Sequence, residues 1–241
     1  MITVSPVMKD PASLEKCLSY IDSQMQSPHG PAPAAGPEHV PAVTISRQTG
    51  AGGTSVANRL AELLQARQPG KTCPWTVFDR NLVEKVLEDH HLPSRLAQFM
   101  PEDKVSAIAD AVEELLDLHP ASWKLVHQIT ETILQLAELG NVIIVGRGAN
   151  VITARMPHVF HVRLVGSLER RSERVQARHR IGREAARKFI RKEDAGRRRY
   201  LQRHFGKDIA DPLLYHLVIN TDWVPVDRAA ELIAQAMLRG R

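Results

Sequence analysis

An α/β fold, a parallel sheet covered by helices on both faces, is predicted by three features of this 241-residue chain. Five short apolar segments alternate with helical stretches from residue 43 onward. One of them, Asn141 to Val145, is apolar enough to lie at the centre of a sheet buried on both sides. The first, Val43 to Ser46, runs straight into a glycine-dense turn and then a helix, the unit from which parallel sheets are wound.

That turn reads Arg47-Gln48-Thr49-Gly50-Ala51-Gly52-Gly53-Thr54-Ser55, and Val56, Leu60, Leu63 and Leu64 share one face of the helix that runs to Ala66. Glycines let backbone N–H groups converge, and the positive end of the helix dipole points at the same place, so the turn suits an anion such as phosphate. Against the phosphate-loop pattern G-x-x-x-x-G-K-[ST], the segment keeps Gly52 and Thr54. It fails twice: the first glycine is Arg47, and the lysine is Gly53. A plain glycine-rich βα turn would show the same residues, so the turn alone leaves both readings open.

Residues 1–40 form an appendage and 41–241 the main domain. Asp10 can cap a helix over residues 11–26, begun by Pro11 and carrying Leu14, Cys17, Leu18, Ile21 and Met25 on one side. It can dock on its own domain or on a partner. The Pro/Ala/Gly-rich stretch Ser27 to Pro37 behind it is an extended linker. In the main domain, Trp75 to Asp79 is the second strand and a helix follows from Asn81. Helical periodicity then continues to Leu139, with Ser122 as a cap. This crossover is longer than one helix needs, which predicts a helical insertion beside the site. Val159 to Leu164 is a strand, and Ser167 caps a helix bearing Arg170, Arg171, Arg174 and Arg178. Ile181-Gly182 breaks it from a second basic helix, Arg183 to about His204. His216 to Asn220 is the last strand, and Val226 to Leu238 the closing helix.

With 43% hydrophobic and 24% charged residues, the chain has the composition of a globular protein rather than a disordered one. No apolar run is long enough to cross a bilayer and no basic-then-apolar leader opens it, so the expected location is cytoplasmic. Cys17 and Cys73, far apart and without ligand spacing, read as free thiols. Between Arg163 and Arg203 there are fifteen Lys/Arg against five Asp/Glu, and this segment alone makes the chain basic. Nucleic acid ranks last as its partner, because Phe189 and Tyr200 are isolated and offer no stacking platform.

Several motifs follow one another along the chain: Ile45-Ser46-Arg47-Gln48 with Gly50 to Gly53, Phe78-Asp79-Arg80-Asn81-Leu82, and Val145-Gly146-Arg147-Gly148-Ala149-Asn150. Arg191-Lys192-Glu193-Asp194 with Arg197 follows, then Asp211 to Tyr215 with Ile219-Asn220-Thr221. Together, from residue 42 to about 236, they resemble the cytidylate kinase-like family, a branch of the nucleoside monophosphate kinases. The resemblance implies a three-layer α/β/α P-loop kinase fold with a central five-stranded parallel sheet, a helical acceptor-side insertion and an arginine-rich lid. It also implies phosphoryl transfer from ATP, with Mg²⁺, to a nucleoside monophosphate or related small phosphorylated acceptor.

By the same resemblance, Thr49, Gly50, Ala51, Gly52, Gly53, Thr54 and Ser55 bind the ATP phosphates, and Thr54 or Ser55 also holds Mg²⁺. Asp79, Arg80, Arg147 and Arg191 face the acceptor. Arg178 and Arg183 flank the lid break, Asp194 and Arg197 lie one helical turn apart beyond it, and with Arg47 these five form the catalytic set. Arg170, Arg171, Arg198 and Arg199 are expected as solvated helix surface. Two departures bear on activity. Gly53 removes the lysine charge, leaving Arg47 or a lid arginine to supply it, and Gly148 stands where cytidylate kinases carry an aspartate that contacts cytosine. The alternative reading is a catalytically weak nucleotide-binding module that docks a partner through helix 11–26.

Overall fold

The computed structural model describes residues 15–16, 19–20, 40–67, 73–79, 108, 111–112 and 124–239. Five strands, β1 (Ala42–Arg47), β2 (Thr76–Phe78), β3 (Val142–Val145), β4 (Val159–Val165) and β5 (Leu217–Asn220), form one parallel sheet in the order β2-β3-β1-β4-β5. Each carboxyl end therefore opens on the same edge. The helices are α1 (Gly53–Ala66), α2 (Lys124–Leu139), α3 (Ala149–Ile152), α4 (Leu168–His179), α5 (Arg183–Phe205) and α6 (Val226–Arg239).

Successive strand residues point to opposite faces, and both faces are buried, which makes three layers. Val43, Ile45, Ile143, Val145, Val162 and Leu164 pack on one side against Val56, Leu60 and Leu64 of α1 and Ala230 and Ile233 of α6. Ala42, Val142, Ile144 and Val159 pack on the other against Ile129, Ile133 and Leu136 of α2. The register places Thr44 beside His161 and Ser46 beside Arg163. Polar pairs bridge these neighbours: the Thr44 hydroxyl and His161 Nδ1 are hydrogen-bonded at 2.8 Å, and Arg163 donates to Ser46 Oγ at 2.8 Å.

Some element bounds differ from those read in the sequence. Gly52 caps α1 at φ +80°, so the helix begins at Gly53, three residues before the first apolar position. The one-turn α3 and a 3₁₀ turn at Pro212–Leu214 carry no long apolar period and were not expected. The helix from Asn81 and most of the helical insertion lie outside the described residues; within that stretch, Ile108 and Val112 are buried against the α2 face. Residues 15, 16, 19 and 20 are helical; the rest of the expected 11–26 helix, with Leu14, Cys17, Leu18, Ile21 and Met25, and the linker behind it lie outside the described residues. Tyr20 is fully buried in the same core, donates its hydroxyl to the Gly140 carbonyl at 2.6 Å and stands edge-on to Phe78. At this residue, the N-terminal segment packs into the core of the sheet domain.

Candidate phosphate-binding site

At the carboxyl edge of the sheet, the chain leaves β1 through Arg47 and Gln48 and turns back into α1. Gly50 and Gly52 take φ +81° and +80°, a region open to glycine at little cost, and this brings the loop under α4. A side chain at Gly50 could not form, because its Cβ would lie 2.6 Å from the Arg171 carbonyl oxygen. Not every loop amide faces outward. The Ala51 N–H donates to the Gln48 carbonyl at 3.1 Å, and the Thr49 N–H donates to Asp194 Oδ1 at 2.7 Å. Gly53, Thr54 and Ser55 open α1, where a helix has no internal acceptor for its first N–H groups, so these amides carry the anion-binding capacity.

Asp194 joins the loop to the two basic helices. Its Oδ1 accepts from the Thr49 amide and hydroxyl and from Arg197 at 3.1 Å, while Oδ2 pairs with Arg171 at 2.7 Å. Arg171 also donates to the Thr49 carbonyl at 3.1 Å, and Arg197 to the Thr49 hydroxyl at 2.5 Å. Asp194 and Arg197 are thus a helix pair and a loop clamp together. Arg174 reaches the Gly50 carbonyl at 3.2 Å and the Thr221 carbonyl beyond β5 at 2.5 Å. Gln48 accepts from the Gly166 N–H at 2.9 Å. On the far side of the Gly166 turn, the Ser167 N–H, and then its hydroxyl, hold the Asp222 carboxyl below the usual carboxylate range.

Three cavities meet here. A cleft of about 530 Å³ runs over the loop from Arg47 to Ser55, bounded by Arg174, Arg178 and Arg197 and by Val224 to Val226. Half-buried Thr54 and exposed Ser55 both line it. A second cavity, about 310 Å³, is walled by Arg47, Arg147, Lys192, Arg197, Arg199 and Tyr200. A third, about 340 Å³, contains Arg163, Arg171, Arg191 and Asp194. Arg47 and Arg197 line all three.

The expected site residues are therefore divided. The loop, Arg47, Arg178 and Arg197 gather around the first cleft, and Arg147 faces the second with its guanidinium 5.9 Å from the Tyr200 ring centre. Arg191 lies in the third cavity, away from Arg147. Asp79 follows β2 and lines none of the three, and Arg80 lies outside the described residues. Arg183 does not reach the loop: with Arg187 it pairs with Glu169, whose carboxyl these arginines, Arg187 first, hold below its usual range. Arg198 and Arg199 are exposed, as expected, while also lining the third and second cavities.

Arg171 overturns its expectation as solvated surface, being 7% exposed and tied to the loop. Arg171, Arg174 and Arg178 recur at i, i+3 and i+7, one helix face, whereas Arg170 and Glu173 point outward. That spacing was visible in the sequence. Among the described residues no group of three His, Cys, Asp or Glu could hold a metal ion.

A parallel sheet of this strand order, with a glycine turn after β1 facing an arginine-bearing helix pair, defines a kinase-type α/β protein. The chain belongs to the cytidylate kinase-like family, whose model matches residues 42–223. Among solved structures, it is similar to that of an uncharacterized protein from Eubacterium ventriosum, at 20% identity over 83% of this chain and 99% of that one, with a TM-score of 0.65. It is more distantly similar to shikimate kinase from Acinetobacter baumannii in complex with shikimate, at 19% identity over 84% and 95% of the two chains, with a TM-score of 0.43. No curated protein matches. No helix among the described residues is long and apolar enough to cross a membrane.

Proposed function

We propose that the protein transfers the γ-phosphoryl group of ATP to a nucleoside monophosphate or a related small phosphorylated acceptor. One observation carries this reading: the helix-start amides of Gly53, Thr54 and Ser55 open into a cleft whose other wall presents Arg174, Arg178 and Arg197. Donor phosphates lie on the amides, and the guanidinium groups neutralise charge that spreads over the equatorial oxygens during transfer. The second cavity, with Arg147, Lys192 and Arg199, takes the phosphorylated acceptor, and Arg197 stands at the junction. Asp194 positions Arg171, Arg197 and Thr49 rather than touching phosphate, since its oxygens are already engaged by these groups.

Mg²⁺ retains most of its waters and needs few protein ligands when it arrives on phosphates. Thr54 and Ser55, which line the cleft, carry hydroxyls of the kind that demand calls for. The ion would supply further neutralisation of the phosphate oxygens when bound.

A coupled ADP-release assay over CMP, dCMP, UMP, AMP and GMP tests the proposal. At least one acceptor should raise the rate above the ATP-only background; a flat panel would count against phosphoryl transfer. The absence of a lysine at Gly53 favours a second reading, a catalytically weak nucleotide-binding module. ATP·Mg²⁺ binding with that flat panel would select it.

A further inference from the structure

We infer that the loop's cation and its first glycine have exchanged places, so that Arg47 supplies the charge that the pattern G-x-x-x-x-G-K-[ST] assigns to the lysine. This rests on the nucleotide reading above and assigns one part of it to one residue. The sequence departs from the pattern at Arg47 and Gly53, and the structure makes these a single departure. A Cβ built on Gly53 would lie 2.9 Å from Arg47 Cγ and 3.4 Å from its Cβ and Cδ. The arginine stem runs across the first residue of α1 and fills the space in which a lysine stem would begin.

A second glycine receives the other end. A Cβ on Gly146, at φ +90° after β3, would fall 1.9 Å from Arg47 Nη1 and 3.0 Å from Cζ. The guanidinium is laid on bare backbone there, between the cleft over the loop and the cavity walled by Arg147. A lysine on α1 would present one point charge over the donor cleft. A planar fork at this junction can hold donor and acceptor phosphate oxygens together. The steric conflict at Gly53 involves Arg47 Cγ, close to the backbone, so relieving it requires a change of χ1 that takes the guanidinium off Gly146.

The test is a swap in the full chain, read by calorimetric titration with ATP·Mg²⁺ and by ADP release with whichever monophosphate the wild type accepts. Arg47→Ala should weaken ATP binding by about tenfold or more and slow turnover by about a hundredfold. Gly53→Lys alone should be impaired as well, because the two stems collide. The double variant Arg47→Gly/Gly53→Lys, which completes the pattern, should bind ATP more tightly than either single variant, a non-additivity of the kind expected for residues in contact. An Arg47→Ala protein within about twofold of wild type in both readouts, or a double variant no better than Gly53→Lys, would overturn the exchange. If ligand-free melting shows Arg47→Ala to be unfolded, the comparison of Gly53→Lys with the double variant decides. A wild-type chain that binds no ATP would instead remove the nucleotide reading itself.

Discussion

Asp194 ties the second basic helix to the loop through Thr49: one carboxylate oxygen accepts the Thr49 N–H at 2.7 Å and its hydroxyl at 2.6 Å. The other oxygen pairs with Arg171, whose side chain is 8% exposed. Removing the carboxylate would leave a buried guanidinium uncompensated, which is more damaging than losing a surface pair. Asp194→Ala is therefore expected to cost about 3 kcal/mol, and Asp194→Asn, which keeps an acceptor for Thr49 but removes the same charge and sets its amide NH2 against Arg171, about 2 kcal/mol. Urea unfolding measures both. A loss for Asp194→Ala under about 0.5 kcal/mol, the size of a surface change, would mean that the pair is not maintained in solution.

Gly148 bears on the acceptor. It takes φ +71°, and a Cβ there would lie 2.9 Å from Phe205 Cε2 and 3.2 Å from Leu201 Cδ1 at the end of α5. An aspartate at this position takes a left-handed backbone conformation and must displace the outer atoms of the Phe205 and Leu201 side chains, which disfavours cytosine recognition by that route. Gly148→Asp should destabilise the chain by about 2 kcal/mol without raising the rate with CMP over that with UMP. Denaturant unfolding and the acceptor assay read the two halves. A stable variant with a new CMP preference would show that α5 can move aside.

His161 predicts an acid sensitivity. It is buried between β1 and β5, hydrogen-bonded to Thr44 and stacked on His216 at 4.8 Å, and burial, then the charge of His216, pushes its pKa down to about 4. The folded state thus resists protonation that the unfolded chain accepts near pH 6.5. The contribution to stability is whole above about pH 6.5, falls as pH drops through the window, and is lost below about 4, amounting to about 3 kcal/mol in all. Urea midpoints at pH 7, 5.5 and 4.5 should decline more steeply for the wild type than for His161→Gln. Parallel profiles would assign the acid sensitivity to other groups.

The sheet was legible because strands buried on both faces must be apolar, and Val142 to Val145 could be little else. The glycine turn was legible because a glycine cluster between an apolar run and a helical period marks a turn. What could not be read were relations across the chain. Arg47 and Gly53 each stood out as a failed motif position, yet only three dimensions show one stem occupying the other's space. Arg171 was hidden in a charge run whose average is solvated, although its helix face pointed at the loop. Arg183 was drawn to the phosphates by its place beside the lid break, while Glu169, fourteen residues earlier, holds it on the surface.

Tyr20 lies outside the apolar period that the sequence predicts for a helix over residues 11–26, yet it is fully buried in the core. Its ring packs with Phe78 at a 5.8 Å centroid distance, and its hydroxyl satisfies the Gly140 carbonyl, next to a glycine conformation at φ +73°. Tyr20→Phe keeps the ring and strands a buried acceptor, so about 1–2 kcal/mol should be lost. Tyr20→Ala also opens a cavity beside Phe78 and should cost about 3–5 kcal/mol. If urea unfolding shows that gradation, the appendage is part of the folding unit. If both variants unfold like the wild type while a partner protein protects the helix from protease, the helix belongs to an interface instead, because a residue that leaves the core readily contributes nothing to the core's stability.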